Sequence, residues 1–283
     1  MAEIVVRPRG PYSLAVSARL AGDATRRVRD GVFTARCCGA IALAWQSPDG
    51  TVTIRSDSTE AAEKLRWTLA LDDDHSEFLR RVADDPFLGR ASKHLRGLRP
   101  VRTATVAQAL LRAVCGQLID SKTARMLERR VIRASQRRHP SVTGLCDPPT
   151  TATLAGFAPF DLRRLGLHER RGAAVVRLCR SLELERLHDQ PTEAVVGRIE
   201  RERGLGPWSA GVVCLEGLGR FEHGLVGDLG LVKLLRALRG RPVEGWETAE
   251  LLEPYGEWAG LASVYLLKGF ARGLIPLPVA RAA

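Results

Sequence analysis

Asp228 is the carboxylate whose position in this sequence points most directly to chemistry. It follows Gly227 and precedes a run in which Leu229, Val232 and Leu235 recur at helical spacing, so Asp228 stands where a helix begins. A carboxylate at that place can cap the helix, a role that contributes about 1 kcal/mol. A fixed carboxylate can also serve in catalysis. From the spacing alone, both roles remain open.

A glycine-rich turn precedes this carboxylate and is suited to hold a phosphate. Residues 192–218 show a helical pattern, the turn Gly204-Leu205-Gly206 and a second helical pattern that begins with Pro207. Glycine permits positive φ and the close approach of another molecule, and proline suits the first position of a helix. The N–H groups from Trp208 to Ala210 would then face an anion at the helix start. Such a turn can bind a DNA backbone without reading its sequence. The same helical hairpin is also common in helical domains, where it only packs in the core.

The two segments together resemble the motif of a known superfamily. Residues 205–210, Leu-Gly-Pro-Trp-Ser-Ala, followed by residues 227–231, Gly-Asp-Leu-Gly-Leu, resemble the helix-hairpin-helix and Gly/Pro-Asp motif of the base-excision DNA glycosylases. Within that superfamily the chain is most similar to the 3-methyladenine DNA glycosylase II branch, and the likeness extends over nearly the whole chain. The resemblance implies a DNA repair enzyme that flips a damaged base out of the duplex and hydrolyses its N-glycosidic bond, with Asp228 as the catalytic residue.

The resemblance assigns binding roles to residues around this carboxylate. Trp208, Trp258 and Val212 would line the pocket for the flipped base, and Val212 stands where the best-studied members of the branch have an aromatic residue. Leu118 would be the wedge that fills the gap left by the flipped nucleotide, with Gln117 as its neighbour. Without the resemblance, Trp258 is equally explained by core packing, and Gln117 and Leu118 by a connection between helices.

The hairpin has a further set of roles that the resemblance implies. Its backbone carbonyl groups at Glu200, Glu202 and Leu205 would hold a structural Na⁺ or K⁺ ion. No cofactor is required for the chemistry. The six cysteines form no CxxC pair, no zinc-type spacing and no clustered quartet, so we expect no iron–sulfur cluster. The DNA phosphate would be bound by the hairpin residues Gly204, Leu205, Gly206, Trp208, Ser209 and Ala210.

The expected substrates are alkylated purines of the 3-methyladenine and 7-methylguanine type. Such bases are electron-poor, so tryptophan faces attract them by stacking and cation–π interaction, roughly 0.5–2 kcal/mol per contact. Strand-cutting relatives use a hairpin lysine as Schiff-base nucleophile, but this chain has Trp208 at that position, so we expect a monofunctional enzyme that leaves an abasic site. Two alternatives stay open: a non-catalytic damaged-DNA-binding protein and an oxidised-purine glycosylase of the 8-oxoguanine type.

Composition favours a nucleic-acid partner. The 283 residues carry a formal net charge of +11, from 43 basic and 32 acidic residues. The expected partner is double-stranded DNA that contains damaged bases. No apolar run approaches the length of a membrane span, so we expect no membrane partner. We predict a monomer in the bacterial cytoplasm, associated with the nucleoid.

The fold class that must position these residues is mainly α with an N-terminal α+β domain. Period-two alternation over 12–20, 32–36, 40–45 and 51–55 predicts an antiparallel sheet, followed by a helix that Ser58 caps. We assign residues 1–78 to this domain. Residues 79–283 form a predicted two-lobed, all-helical glycosylase core that contains the hairpin at 192–218, with the active site in the cleft between the lobes. A Pro-, Ser- and Thr-rich connection is expected at 139–150.

Overall fold

The computed structural model describes residues 1–136 and 143–278. It begins with a five-stranded antiparallel sheet in the order β1-β5-β4-β3-β2. Helix α2 packs on this sheet, and Ser58 caps it by accepting the Ala61 N–H, as predicted. Ala62 and Leu65 of α2 are buried against Phe33 and Ile54 of the strands. The strands are β1 (Ala2–Val6), β2 (Arg26–Arg29), β3 (Val32–Cys37), β4 (Ala40–Gln46) and β5 (Val52–Ser56), and α2 is Thr59–Thr68.

One predicted strand is wrong. Residues 12–20 contain the short helix α1 (Leu14–Ala18), in which the Ser13 hydroxyl accepts the Val16 N–H as a cap. The buried positions of α1 are Leu14, Ser17 and Ala18, which share one helical face. The apolar alternation over so short a segment is compatible with a single helical turn, and the serine cap favours that turn. The edge strands β1 and β2 were not predicted.

The rest of the described chain is helical. The helices are α3 (Ser76–Arg81), α4 (Gly89–His94), α5 (Val106–Gly116), α6 (Ser121–Ala134), α7 (Thr151–Ala155), α8 (Pro159–Arg164), α9 (Glu169–Ser181), α10 (Thr192–Glu200), α11 (Pro207–Val212), α12 (Leu229–Arg239), α13 (Thr248–Leu252) and α14 (Ala259–Phe270). A π-helical segment, Val213–Leu218, continues α11, and short 3-10 turns lie at Leu184–Asp189, Gly245–Glu247 and Glu253–Trp258. Part of the predicted 139–150 connection lies outside the described residues.

The helical part contains two apolar clusters, and the helices that carry the site residues contribute side chains to both. The first cluster gathers α6, α7, α9 and α10, and the second gathers α12, α13 and α14. Helix α5 contributes Leu110 to the first cluster and Ala113 to the second, and the hairpin's second helix likewise contributes Ala210 and Val212. This arrangement confirms the predicted fold class of an N-terminal antiparallel sheet followed by a helical core.

The boundary at residue 78 stays a prediction. Phe78 itself packs in the second helical cluster. Within the described residues, no helix has the length and apolar character needed to cross a membrane.

Candidate active site

Both oxygens of the Asp228 carboxylate are engaged, and by different elements. Oδ1 accepts the backbone N–H groups of Gly230, at 2.7 Å, and Leu231, at 3.4 Å, so Asp228 caps α12. Oδ2 accepts the indole Nε1–H of Trp208 at 2.9 Å. The cap fixes the carboxylate at the helix N-terminus, where the helix dipole favours negative charge. The two roles that the sequence left open are therefore compatible, because one oxygen caps the helix while the other faces the hairpin.

Two glycines allow this placement of the carboxylate. Gly227 has φ +84°, a value that side chains disfavour, and it turns the chain into α12. At Gly230 a Cβ would lie 2.4 Å from Leu267 Cδ2 of α14. The absence of that Cβ lets the first turn of α12 pack against α14, so the local geometry favours glycine at both positions.

Trp208 stands in the first turn of α11 and reaches from the hairpin to Asp228. Its ring also packs against α5, where a Cβ at Gly116 would lie 2.7 Å from Trp208 Cη2. Trp208 is half-buried, and Val212, one turn later, is 5% exposed and lines the same cleft. The lack of a Cβ at Gly116 thus gives the indole room to donate to the carboxylate.

The hairpin turn differs in two details from its prediction. Gly204 has φ +95°, but Gly206 is in an extended conformation with φ −133°. The Ala210 N–H donates to the Gly206 carbonyl at 3.0 Å, so it is not available to a phosphate. The Trp208 and Ser209 N–H groups remain in the first helical turn, where a helix offers no intrahelical acceptor.

Leu118 and Gln117 lie in the α5–α6 connection, and the structure gives them different surroundings. Leu118 is 79% exposed and has φ +56°, which a branched side chain adopts only under strain. The Gln117 amide Nε2 donates to the Gly204 carbonyl at 2.8 Å and to Ser209 Oγ at 3.1 Å. Gln117 therefore ties the connection to the hairpin, and Leu118 projects beside it.

A cleft of about 1360 Å³ brings most of the predicted residues together. Its lining includes Asp228, Trp208, Val212, Leu118 and Gln117, together with Gly204, Gly206 and Ser209 of the hairpin. The predicted active-site position between the two helical clusters therefore has a cavity that can accept an extruded nucleotide.

Trp258 is the predicted pocket residue that the structure does not place at this cleft. Its ring stacks on Phe221, with ring centroids 6.0 Å apart, and also contacts Phe78 and His75. The 3-10 segment that carries Trp258 is kinked at Gly256. The structure does not bring Trp258 and Trp208 together at this cleft, because the Trp258 ring lies among the aromatic side chains of Phe221, Phe78 and His75.

A buried charge network, which the sequence patterns do not predict, lies on another side of the cleft. Arg112 of α5 donates to Asp23 Oδ2 at 2.6 Å, to Glu128 Oε1 at 2.9 Å and to Glu216. Burial raises the pKa of Glu128 despite the opposing charge of Arg112. Burial also acts to raise the pKa of Asp23, but Arg26 and Arg112 outweigh it and lower that pKa. No local pattern could have shown this network, because Asp23 comes from the N-terminal part of the chain.

Trp246, Leu229 and Lys233 are further cleft residues outside the predicted set. Leu229 and Lys233 are one helical turn apart on α12, and a helical pattern after Asp228 could have indicated that shared face. Trp246 is in the 3-10 turn Gly245–Glu247, and nothing in its sequence neighbourhood marks it as part of the site.

The predicted ion site consists of backbone carbonyl oxygens of the hairpin. Glu200 is the last residue of α10, and the last carbonyl groups of a helix lack intrahelical donors. The Glu202 carbonyl accepts the Leu205 N–H at 3.0 Å, which leaves it a second lone pair. Carbonyl oxygens are suitable ligands for a hard cation. Among the described residues, no group of three or more His, Cys, Asp or Glu side chains is placed to hold a metal.

Two known proteins are similar to this chain in sequence. No protein-family model matches the chain. It is 26% identical over 206 residues to the DNA-3-methyladenine glycosylase of Bacillus subtilis, which covers 69% of this chain and 67% of that protein. It is 28% identical over 182 residues to a probable bifunctional transcriptional activator/DNA repair enzyme AlkA of Mycobacterium tuberculosis, covering 62% of this chain and 36% of that protein.

Solved structures resemble the chain over nearly its full length. The 3-methyladenine DNA glycosylase from Archaeoglobus fulgidus superposes with a TM-score of 0.81 at 18% identity, covering 96% of this chain and 99% of that one. The 8-oxoguanine glycosylase/lyase of Clostridium acetobutylicum, in complex with double-stranded DNA, superposes with a TM-score of 0.77 at 16% identity, covering 95% and 98%.

The fold is that of the solved DNA glycosylases, and the hairpin and the Gly-Asp turn meet at one cleft. The sequence relatives carry the names DNA-3-methyladenine glycosylase and AlkA, which confirms the resemblance stated from the motifs and supports a glycosylase enzyme.

Proposed function

We propose that this glycosylase removes N-alkylated purines of the 3-methyladenine and 7-methylguanine type from double-stranded DNA and leaves an abasic site. The observation that carries the proposal is the hydrogen bond from Trp208 Nε1 to Asp228 Oδ2. It joins a fixed carboxylate to an aromatic residue at one cleft. The names of the sequence relatives support the same substrate class.

Ionisable side chains of both signs line the cleft. The buried network contains three carboxylates, Asp23, Glu128 and Glu216, against the two guanidinium groups of Arg26 and Arg112. The lining also includes Asp120 and Asp228 and, of opposite sign, Arg125, Arg170, Arg171 and Lys233, so acidic and basic side chains are nearly balanced. A cationic purine gains from the tryptophan face and from the Asp228 carboxylate beside it, whereas a normal neutral base gains less.

The chemistry assigned to Asp228 is stabilisation of the reacting sugar. The C1′–N bond breaks, its electron pair goes to the cationic purine, and the purine leaves as a neutral base. Positive charge develops on the deoxyribose and is stabilised by the adjacent carboxylate. Water then bonds to C1′ and loses a proton, which gives the abasic sugar. Each carboxylate oxygen has two acceptor sites, so Oδ2 can accept Trp208 and still orient that water.

The proposed reaction is monofunctional. Trp208 occupies the hairpin position of the strand-cutting lysine and cannot form a Schiff base. Lys233 also lines the cleft and carries the amine that such a reaction would need. Strand breaks that form without alkali and disappear in Lys233→Ala would contradict the monofunctional proposal.

DNA binding is assigned to the hairpin and the wedge, with the protein acting as a monomer. The phosphate would lie at Gly204, Leu205 and Gly206, against the N–H groups of Trp208 and Ser209. The carbonyl groups of Glu200, Glu202 and Leu205 would hold the structural Na⁺ or K⁺ ion, which supplies positive charge toward the phosphate. The strained, exposed side chain of Leu118 would enter the stack as the base leaves it.

Base release from methylated duplex DNA tests the proposed function. The released bases are identified by chromatography, and strand breakage is measured with and without hot alkali. We expect methylpurines, and breaks only after alkali. An absence of released methylpurine from DNA that the protein binds would contradict the substrate class.

An oxidised-purine glycosylase of the 8-oxoguanine type is the second candidate. It is favoured by the full-length structural likeness to the 8-oxoguanine glycosylase/lyase of Clostridium acetobutylicum. A duplex with a single 8-oxoguanine opposite cytosine distinguishes the two. Faster release of 8-oxoguanine than of 7-methylguanine would favour the second candidate.

A further inference from the structure

Trp246 is an exposed tryptophan at the same cleft as Asp228. Its side chain is 67% exposed, whereas the other four tryptophans are half-buried. It lines the cleft together with the exposed Leu118 and Leu229. Apolar side chains left in water forgo the free energy of burial, so their grouping at one cleft indicates a surface that a ligand covers.

The turn that carries Trp246 is rigid. Glu247, which follows it, is buried, and its carboxylate accepts Arg239 Nη1 and Arg241 Nη2, each at 2.6 Å. The same carboxylate accepts the Glu244 N–H at 2.7 Å. The backbone on both sides of Trp246 is therefore fixed, although the indole itself is in water.

The turn is also joined directly to the residue before Asp228. Thr248 Oγ1 accepts the Gly227 N–H at 2.7 Å and donates to the Gly245 carbonyl at 2.7 Å. Gly245 lies against Gly227, since a Cβ on Gly245 would be 3.4 Å from Gly227 Cα. One hydrogen-bonded frame therefore holds both Trp246 and Asp228.

We propose that Trp246 is a second aromatic wall of the base site, which stacks on the extruded N-alkylated purine and selects for its positive charge. This inference rests on the proposed function. The family resemblance assigns this role to Trp258, whose ring the structure places against Phe221. Trp246 is exposed and lines the cleft that also contains Trp208 and the Asp228 carboxylate. A purine that leaves the duplex would cover this exposed ring, and an indole face attracts a cationic base more strongly than a neutral one.

The test measures base preference without requiring base release. The probe is a duplex with one 7-methylguanine whose glycosidic bond is stabilised by a 2′-fluorine on its sugar, and the reference is the same duplex with guanine. Affinities for both are measured for the wild type, Trp246→Ala and Trp246→Phe. Trp45→Ala is the matched control, because Trp45 is a half-buried tryptophan on β4 of the N-terminal sheet, stacked with Arg55.

We expect the wild type to bind the methylated duplex more tightly than the reference. Trp246→Ala should reduce this preference about tenfold, Trp246→Phe should retain most of it, and Trp45→Ala should leave it unchanged. The reference duplex should be bound equally by all four proteins.

Three outcomes would overturn the inference. They are a wild type without preference, an unchanged preference in Trp246→Ala, and an equal loss of affinity for both duplexes, which would place Trp246 against DNA outside the pocket. Base release from a cleavable 7-methylguanine duplex is measured separately. A wild type that prefers the methylated duplex through Trp246 but releases no base would contradict the proposed function and leave this inference standing.

Discussion

Trp208 and Trp258 both lie near the start of a helix, but their indole rings have different contacts and different hydrogen-bond partners. The Trp208 N–H donates to the Asp228 carboxylate, and the ring lines the cleft. The Trp258 ring is stacked on Phe221, and its Nε1 has no hydrogen-bond acceptor among the described residues. Both tryptophans lie near a helix start, so that position does not show which one can affect the chemistry. The hydrogen-bond acceptor of the indole N–H does, because only Trp208 donates to the Asp228 carboxylate.

The largest effect is expected at the carboxylate that distinguishes the two regions. Asp228→Asn removes the negative charge, and the rate of base release should fall by at least about 10³-fold, because charge stabilisation in the transition state is lost. Asparagine is as good an N-cap as aspartate, so the melting temperature should stay close to that of the wild type. Single-turnover release from a 7-methylguanine duplex gives the rate, and thermal unfolding gives the control. A rate within a factor of ten of the wild type would remove Asp228 from the centre of the mechanism.

A matched pair of substitutions sharpens the comparison between the two tryptophans. Trp208→Phe keeps a ring but loses the donor to Asp228, and we expect the release rate to fall about 10- to 100-fold, the range for a hydrogen bond to a charged group. Trp258→Phe should leave the rate within a factor of two and instead lower the free energy of unfolding by roughly 0.5–3 kcal/mol, since only packing changes. Equal losses of release rate in the two variants would contradict the claim that Trp208 affects the reaction and Trp258 does not.

Leu118 provides a weaker test on the opposite side of the cleft. Leu118→Gly removes the wedge and also the strain of a positive φ, so base release from duplex DNA should fall about tenfold while stability stays equal or rises by roughly 1 kcal/mol. Met126→Ala, which truncates another exposed apolar side chain, is the control. A loss of stability in Leu118→Gly would show that the side chain packs in the fold and does not serve as a wedge.

Local signals predicted the elements of the site well. Ser58 caps α2 as its pattern indicated. Pro207 begins the hairpin's second helix, and Asp228 begins α12. These features depend on hydrogen bonds between residues that are close in the chain, so the sequence contains them.

Most differences between the predicted and the observed structure come from contacts between segments that are distant in the sequence. Trp258 was assigned to the pocket, but its surroundings depend on Phe78 and His75, far away in sequence. Trp246 and Asp23 reach the cleft through tertiary packing that no spacing shows. Residues 12–20 were predicted as a strand because short alternation does not distinguish a strand from one helical turn.

The smallest effect concerns the turn that holds Trp246. The hydrogen bond from Arg241, together with the Glu244 N–H and both arginine charges, lowers the pKa of Glu247 to about 2, from an ordinary value of 4.5. Its folded pKa is depressed, so the stability it contributes is present above about pH 4.5 and is lost as pH falls toward 2. The difference in melting temperature between the wild type and Glu247→Gln should therefore be largest near pH 6 and shrink by pH 3. Glu250→Gln, which removes an exposed partner of Arg239, is the control. A difference that does not change with pH would contradict this account.

The central claim is that Trp208 acts through the Asp228 carboxylate, and a double-mutant cycle tests it most directly. Single-turnover release of 7-methylguanine is measured for the wild type, Asp228→Asn, Trp208→Phe and the variant with both changes. We predict that Trp208→Phe slows release in the wild type but has almost no further effect once the carboxylate is gone, because the two residues form one unit. Fully additive losses would contradict the claim, since Trp208 would then contribute independently of Asp228.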